Sequence, residues 1–331
     1  MEKIKYTLWR NKAPNVLLKS DREKYPINRI FPSARQALSQ AISDLKLSRP
    51  HRIAIPEWSS HCVISSVGEI ATPIPFREVI NHNISIDAIL FYEQWGWPFS
   101  PSIQSKIKEK FKNIKIILDR VDSADINNKN RIILYPELDQ IDLISLSKIL
   151  GLIGGGLVKL NGEFLEFKSN LQEEEIFSII LNNKTNPINV PKLINIYKNS
   201  IKCLHPELKK WLNNNDLVNA LENECKDRRE NLSKIINSDL SSNWPAWMID
   251  AFKLGASPGI VPLLKDNSID NLLKIQKEIF NTFSIETIIY HFNWSGNPFE
   301  LNYEKVLAFP IHGLLKKSLP NVIRNLEKKK E

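Results

Sequence analysis

The stretch Ile144-Ser145-Leu146-Ser147-Lys148-Ile149-Leu150-Gly151-Leu152-Ile153-Gly154-Gly155-Gly156 joins two apolar runs, 142–146 and 156–160, that read as buried strands. Its centre is a lysine flanked by serines and followed by glycines. A lysine at the end of a buried strand is costly unless it is used. Burial lowers an ammonium's pKa and frees the amine to attack a carbonyl, which is what a Schiff-base lysine needs. Ser145 and Ser147 can donate to a phosphate, and the glycines let backbone come close to a ligand. A surface lysine before a glycine turn would read the same way, and the run alone does not choose between the two. It is not a phosphate-cradling P-loop, because the Gly-x-x-x-x-Gly-Lys-Ser/Thr order is missing.

Upstream, the runs 52–55, 73–76, 87–91, 115–119 and 131–134 complete a set of seven candidate strands. They are rich in Ile and Leu with little polar alternation, as expected when both faces of a sheet are covered. Helical patterns alternate with them. Residues 33–46 place Ala37, Leu38, Ala41, Ile42 and Leu45 on one face, and 60–67 and 102–111 are weaker patterns. The alternation predicts an α/β fold with a mostly parallel seven-stranded sheet between helices. Downstream, 171–181, 190–201 and 217–236 read as helices. The last stretch reads as a small α/β domain: strands at 260–264, 287–291 and 306–309, a helix at 267–283 capped around 266–268, and a closing helix at 319–326. The expected division is a large domain at 1–235 and a small C-terminal domain at 236–331.

Two more pieces bear on chemistry. Lys115-Ile116-Ile117-Leu118-Asp119 is an apolar strand that ends in an acid, with Asp122 and Asp125 close behind. A carboxylate there needs a cation or hydrogen-bond donors. The protonated ring nitrogen of pyridoxal phosphate (PLP) is such a cation, and a carboxylate keeps that ring electron-withdrawing. The ordinary use of a strand-end acid is to cap the next turn. Phe31-Pro32-Ser33-Ala34-Arg35-Gln36-Ala37-Leu38 opens the first helix with a serine at the N-cap, and a helix N-terminus can seat a phosphate.

Composition narrows the class. Hydrophobic residues make up 42% and charged residues 25% of the 331, a globular balance rather than a disordered one. Cys62, Cys203 and Cys225 show no CxxC spacing, which argues against a zinc site or a disulfide framework. No apolar run is long enough to span a bilayer and the first residues form no signal core, so no membrane partner and a cytoplasmic location are expected. The formal charge of +8 is diffuse and no recognition motif accompanies it, so it fits a phosphorylated ligand better than nucleic acid. Trp95 and Trp97 flank Gly96, and Trp244 and Trp247 flank Pro245; such pairs serve core packing or line a substrate pocket.

In order along the chain, these segments resemble the fold-type I PLP enzymes, specifically the DegT/DnrJ/EryC1/StrS sugar aminotransferases. Ser33-Ala34-Arg35-Gln36-Ala37-Leu38 is similar to that family's Ser-Gly-Thr-x-Ala-Leu phosphate turn. Pro56-Glu57-Trp58-Ser59-Ser60-His61 resembles its Pro-x-Tyr/Phe-Thr segment, and Gly96-Trp97-Pro98 its Tyr-Gly-x-Pro turn. Leu118-Asp119 falls at its Glu-Asp, and Ser147-Lys148 with Gly154-Gly155-Gly156 at its Schiff-base lysine and glycine pair. Arg228-Arg229-Glu230-Asn231 and Leu307-Ala308-Phe309-Pro310-Ile311-His312 resemble its Arg-Arg-x-Asn and Leu-Pro-x-His.

The resemblance implies PLP bound as a Schiff base on Lys148, with Asp119 on the pyridine nitrogen. Ser33, Ala34, Arg35 and Ser145 or Ser147 would anchor the phosphate, and Ser60 or His61 would cover the ring. It further implies a homodimer and small-molecule substrates: an amino acid donor and a keto-sugar, nucleotide-linked. The chain departs from the pattern. Ala34 and Arg35 replace glycine and threonine, and Arg120-Val121-Asp122 stands where the family has Ala-Ala-Gln/His. Asp122 thereby takes the place of the neutral or cationic side chain at the cofactor hydroxyl. These departures leave two alternatives: a PLP lyase or dehydratase, or a non-catalytic binding or regulatory protein on the same fold.

Overall fold

The computed structural model describes residues 5–18, 25–125, 139–167, 203–266 and 268–328. The expected strand at 131–134 and the expected helices at 171–181 and 190–201 lie outside the described residues.

Ten strands are described: β1 (Arg52–Ile55), β2 (Thr72–Pro75), β3 (Ala88–Tyr92), β4 (Lys115–Asp119), β5 (Gln140–Ser145), β6 (Gly156–Leu160), β7 (Glu163–Phe164), β8 (Ile260–Lys265), β9 (Ile288–Asn293) and β10 (Tyr303–Pro310). The first seven form one sheet in the order β2-β1-β3-β4-β5-β6-β7. β2 to β5 pair in parallel, and β5-β6 and β6-β7 pair antiparallel. The mostly parallel seven-stranded α/β fold is therefore present. Among the described residues the seventh strand is the two-residue β7, too short for an apolar pattern to announce. The central strands Ala-Ile-Leu-Phe-Tyr and Lys-Ile-Ile-Leu-Asp are buried almost throughout because helices cover both faces.

The helices are α1 (Ala34–Asp44), α2 (His61–Gly68), α3 (Phe76–His82), α4 (Pro101–Lys110), α5 (Leu146–Leu150), α6 (Pro206–Asn214), α7 (Leu217–Ile236), α8 (Ala246–Lys253), α9 (Ile269–Phe283) and α10 (Leu319–Glu327). α1 starts because Ser33 caps it, its Oγ accepting from the Gln36 amide at 3.3 Å. Its inner face, Ala37, Leu38, Ala41 and Ile42, packs on β5 and β6. α7 is capped by Asp216, which accepts from the Asn219 amide at 3.0 Å. It buries Leu217, Leu221, Leu232 and Ile235, each such burial contributing ~1.5–3 kcal/mol.

α3, α6 and α8 depart from expectation. Each has a proline at its N-cap or first position, where a fixed φ and a missing N–H suit a helix start. Pro75 falls inside the run 73–76 read as a strand, and no helical pattern is read at 206–214 or 246–253. Beyond α7, β8-β10-β9 form an antiparallel sheet covered by α9, and α10 adds Leu319, Val322, Ile323 and Leu326 to the same core. Its core also takes in Trp95 and Trp97 from the turn after β3. The two sheets thus meet at the carboxyl ends of the large-sheet strands, where open α/β sheets place their ligands.

Candidate active site

Register brings the site together before any side chain is considered. Tyr92 at the end of β3 pairs with Asp119 at the end of β4, and Ser145 at the end of β5 pairs with Gly156 at the start of β6. These ends open into a cavity of ≈ 450 Å³. Lys148, Asp119, Ser145, Ser147, Ser33, Ala34, Arg35 and Ser60 all line it. One wall is the start of α1. Gly156 presses so closely on it that a Cβ there would stand 2.6 Å from the Ala34 amide nitrogen. The Gly155 amide donates to the Pro32 carbonyl at 2.8 Å, and Phe31 and Gly156 bond each other's backbone at 2.9 Å. The glycines therefore seat the α1 turn directly against the strand beside Lys148.

Lys148 itself lies in the one-turn helix α5, which follows β5, and not at a strand end. β5 gives way to α5 at Ser145, the helix's N-cap, and α5 ends after Leu150 because Gly151, at φ 68°, caps it in the left-handed region. Lys148 Nζ is 3.1 Å from Asp122 Oδ1 and 3.4 Å from its Oδ2. Asp122 has no exposed surface. It also accepts from Trp9 Nε1 and from the Tyr92 hydroxyl, each at 2.7 Å. Burial alone would lower the Lys148 pKa, as the sequence led us to expect. The carboxylates of Asp122 and Asp119 outweigh burial, and the amine is held above its ordinary value. In this form Lys148 is a cation with a counter-ion.

Asp119 is buried, and its Oδ1 accepts from the Val121 amide at 3.2 Å. Burial is the main reason its carboxyl rises to about 6; Lys148 opposes this, and Asp122 and Glu93 add to it. Behind both acids sits Arg228 on α7, almost fully buried. Its Nη1 donates to the Asp122 carbonyl at 2.7 Å, its Nη2 to the Ile149 carbonyl at 3.3 Å, and its Nε to Glu224 Oε1 at 2.8 Å. One side chain thus ties the Asp122 loop to the Lys148 turn. Arg10 Nη1 meets the same Glu224 at 2.5 Å, anchoring the N-terminal segment that carries Trp9 to the site.

His61, expected over the ring, and His312, from the segment similar to Leu-Pro-x-His, both stand elsewhere. His61 is exposed at the start of α2 and is absent from the cavity lining, its Nδ1 3.5 Å from Ser65 Oγ. The first turn of α2 rotates it outward while Ser60 and Cys62 line the cavity. His312 is buried away from the cavity with Nε2 3.1 Å from the Thr7 carbonyl, and burial pushes its pKa down to about 4. Sequence reading missed Trp9, Tyr92 and Cys62. No local spacing marks Trp9, which lies 113 residues from Asp122. Tyr92 was findable as a polar-tipped aromatic closing an apolar strand.

Among the described residues no cluster of His, Cys, Asp and Glu is arranged to hold a metal ion, and no helix is long and apolar enough to cross a membrane. No curated protein sequence matches the chain significantly. Solved structures do match in fold. DesV from S. venezuelae, in complex with a ketimine intermediate, shares 15% identity over 91% of this chain and 84% of its own, with a TM-score of 0.51. A DegT DnrJ EryC1 StrS aminotransferase from Brucella abortus shares 14% over 90% and 85%, with a TM-score of 0.50. The "Putative sugar aminotransferase Spr1654" from Streptococcus pneumoniae, in its PLP form, shares 13% over 90% and 86%, with a TM-score of 0.53. At such identities the likeness establishes the fold-type I architecture alone. The family model described as "Putative PLP-dependent aminotransferase" matches residues 22–329. That match spans nearly the whole chain, and the protein therefore belongs to this family of PLP-dependent aminotransferases, enzymes whose cofactor is PLP.

Proposed function

We propose that this chain transfers an amino group from an amino acid to a keto-sugar, nucleotide-linked, with PLP held on Lys148. The residues present fit the cofactor. A buried acid raised to about 6 is a carboxylate short of a cation, and a pyridinium nitrogen would supply one. Ser33, Ala34 and Arg35 at the start of α1, whose first amides precede the helix's own hydrogen bonds, line the same cavity as Lys148 and suit a phosphate. Bound PLP supplies an electron sink that stabilises negative charge at the substrate carbon.

The chain's own groups do the rest. Lys148 would hold the cofactor through Nζ and, once displaced by the amino donor, would carry a proton between substrate positions. Asp119 would keep the ring nitrogen protonated. Ser33, Ala34 and Arg35, with Ser145 or Ser147, would hold the phosphate; the two serine hydroxyls already lie 3.0 Å apart. Asp122 would balance the positive charge at Lys148, with Trp9 and Tyr92 fixing its orientation. Ser60, at the cavity mouth, would stand against the ring. The keto-sugar assignment is supported by the order of sequence motifs shared with the sugar aminotransferases, and a homodimer is part of the same proposal.

The convergence of Lys148, Asp119 and the α1 N-terminus on one cavity carries this reading. The test is a half-reaction. Protein loaded with PLP is mixed with glutamate, and the visible absorbance is followed while 2-oxoglutarate is assayed. Loss of the band with stoichiometric 2-oxoglutarate, reversed by a keto-sugar nucleotide, is expected. Turnover of an amino acid or sugar without amino-group retention by the protein would point to a lyase or dehydratase instead.

A further inference from the structure

We infer that an aromatic cleft beside the Lys148 cavity binds one planar, uncharged ring of the substrate. The cleft measures ≈ 210 Å³ and lies where β3 and the segment after β1 face β9 and the chain leading into β10. It shares Trp58, Leu90, Tyr92 and Tyr290 with the Lys148 cavity, so a single ligand can reach both. Trp97 and Trp247, singled out in sequence beside their Gly and Pro turns, stand edge to face at 5.9 Å in its wall, and Trp58 meets Tyr303 at 5.6 Å.

The indole and amide edges of this wall are already used. Trp97 Nε1 donates to the Ile260 carbonyl at 3.1 Å and Trp247 Nε1 to the Trp294 carbonyl at 3.0 Å. Gln94 donates to the His291 carbonyl and accepts from the Asn293 amide. Asn293 in turn donates to the Asn297 carbonyl and accepts from Ser295 and Asn302. What remains for a ligand is mostly ring faces, which prefer another ring. The wall is also firmly built: at Gly296 a Cβ would stand 2.6 Å from the Trp247 indole.

Charge decides what kind of ring. No lysine or arginine lines the cleft among the described residues; its one carboxylate, Glu57, accepts from the Arg77 amide at 2.7 Å and pairs with Arg77 Nε at 3.9 Å, and its one histidine, His291, lies against Trp58 at 6.2 Å. With Glu57 already paired and no lysine or arginine in the wall, no fixed charge there is left for an ion to answer, so the occupant is neutral. Two sources share this chemistry: the base of a nucleotide-linked sugar, and the side chain of an aromatic amino acid. The inference rests on the aminotransferase reading only in taking the ring to belong to the substrate.

Calorimetric titration of the protein, with and without PLP, by uridine, indole and inorganic pyrophosphate tests it. Saturable binding of uridine, of indole or of both is expected, without competition from pyrophosphate; uridine alone identifies a nucleobase and indole alone an amino acid side chain. Leu301→Arg, which puts bulk and charge into the cleft, should weaken the ring probe by about tenfold or more, and Tyr303→Ser by roughly three- to tenfold. Leu301→Ala controls for folding. Failure of both rings to bind, competition by pyrophosphate, or binding unchanged in both variants overturns the inference. Failure to load PLP, read from visible absorbance on the same samples, would sink the aminotransferase reading and leave the ring site standing.

Discussion

The two hollows that share Trp58 and Tyr92 are built on opposite principles. The Lys148 cavity is lined by charge, Lys148 and the buried Asp119, and backed by the buried Asp122 and Arg228. The aromatic cleft has ring faces and hydrogen bonds closed among themselves. Charge in a poorly hydrated place is costly unless each ion has a partner. The cavity therefore depends on a network in which each group fixes the next, and the cleft does not. Single changes should be severe in the first and mild in the second.

The largest effect on stability is expected at Arg228. Replacing it with methionine leaves the Asp122 and Ile149 carbonyls without that donor and strips Glu224 of one of its two cations. A loss of about 3–5 kcal/mol is expected from urea unfolding. A loss below about 1 kcal/mol would mean that the cavity floor is not held by this network.

Asp119 comes next and carries a pH signature. Its folded carboxyl, raised from 3.8 to about 6, keeps a proton that the unfolded chain releases sooner. The contribution of this group to stability is therefore greatest below about pH 4 and falls as pH rises to about pH 6, by on the order of 3 kcal/mol. Asp119→Asn has no proton to lose. The stability difference between wild type and this variant, both without cofactor, should move against wild type across that window. PLP should flatten the slope by giving the carboxylate a cation. A pH-independent difference would show that Asp119 is not raised.

How much of this was legible in sequence depended on whether a feature was local. α7 was legible to its last residue, because twenty residues of helical spacing start at a capping aspartate. The strand-end position of Asp119 and the serine cap of α1 were legible for the same reason. The length of β5 was not, since the apolar run continues through Leu146 while the chain already turns into α5. The charge state of Lys148 was least legible. Burial was readable from its apolar neighbours, but the sign of the shift depends on Asp122, 26 residues away, and on how Trp9 and Tyr92 hold it. In Arg228-Arg229-Glu230-Asn231 the motif was visible, and only the fold shows that Arg228 and Asn231 turn inward together.

That dependence gives the smallest of these predictions. In Asp122→Asn the counter-ion is gone, Trp9 Nε1 keeps the amide oxygen as its acceptor, and the Tyr92 hydroxyl turns to accept from the new Nδ2. The Lys148 amine should lose its proton at lower pH, and its acylation rate in the cofactor-free protein, read by peptide mass spectrometry, should rise about tenfold at neutral pH. An unchanged rate would mean that Asp122 does not govern the amine. The matching change in the cleft, Leu301→Arg, should leave this rate as it is.

The central claim is that Lys148 carries the cofactor. Purified protein with added PLP, treated with borohydride and digested, is mapped by mass spectrometry in wild type and Lys148→Ala. A reduced pyridoxyl adduct on the peptide containing Lys148, absent from the variant along with the visible absorbance band, is the result the account predicts. An adduct on another lysine, or none in wild type, would contradict it.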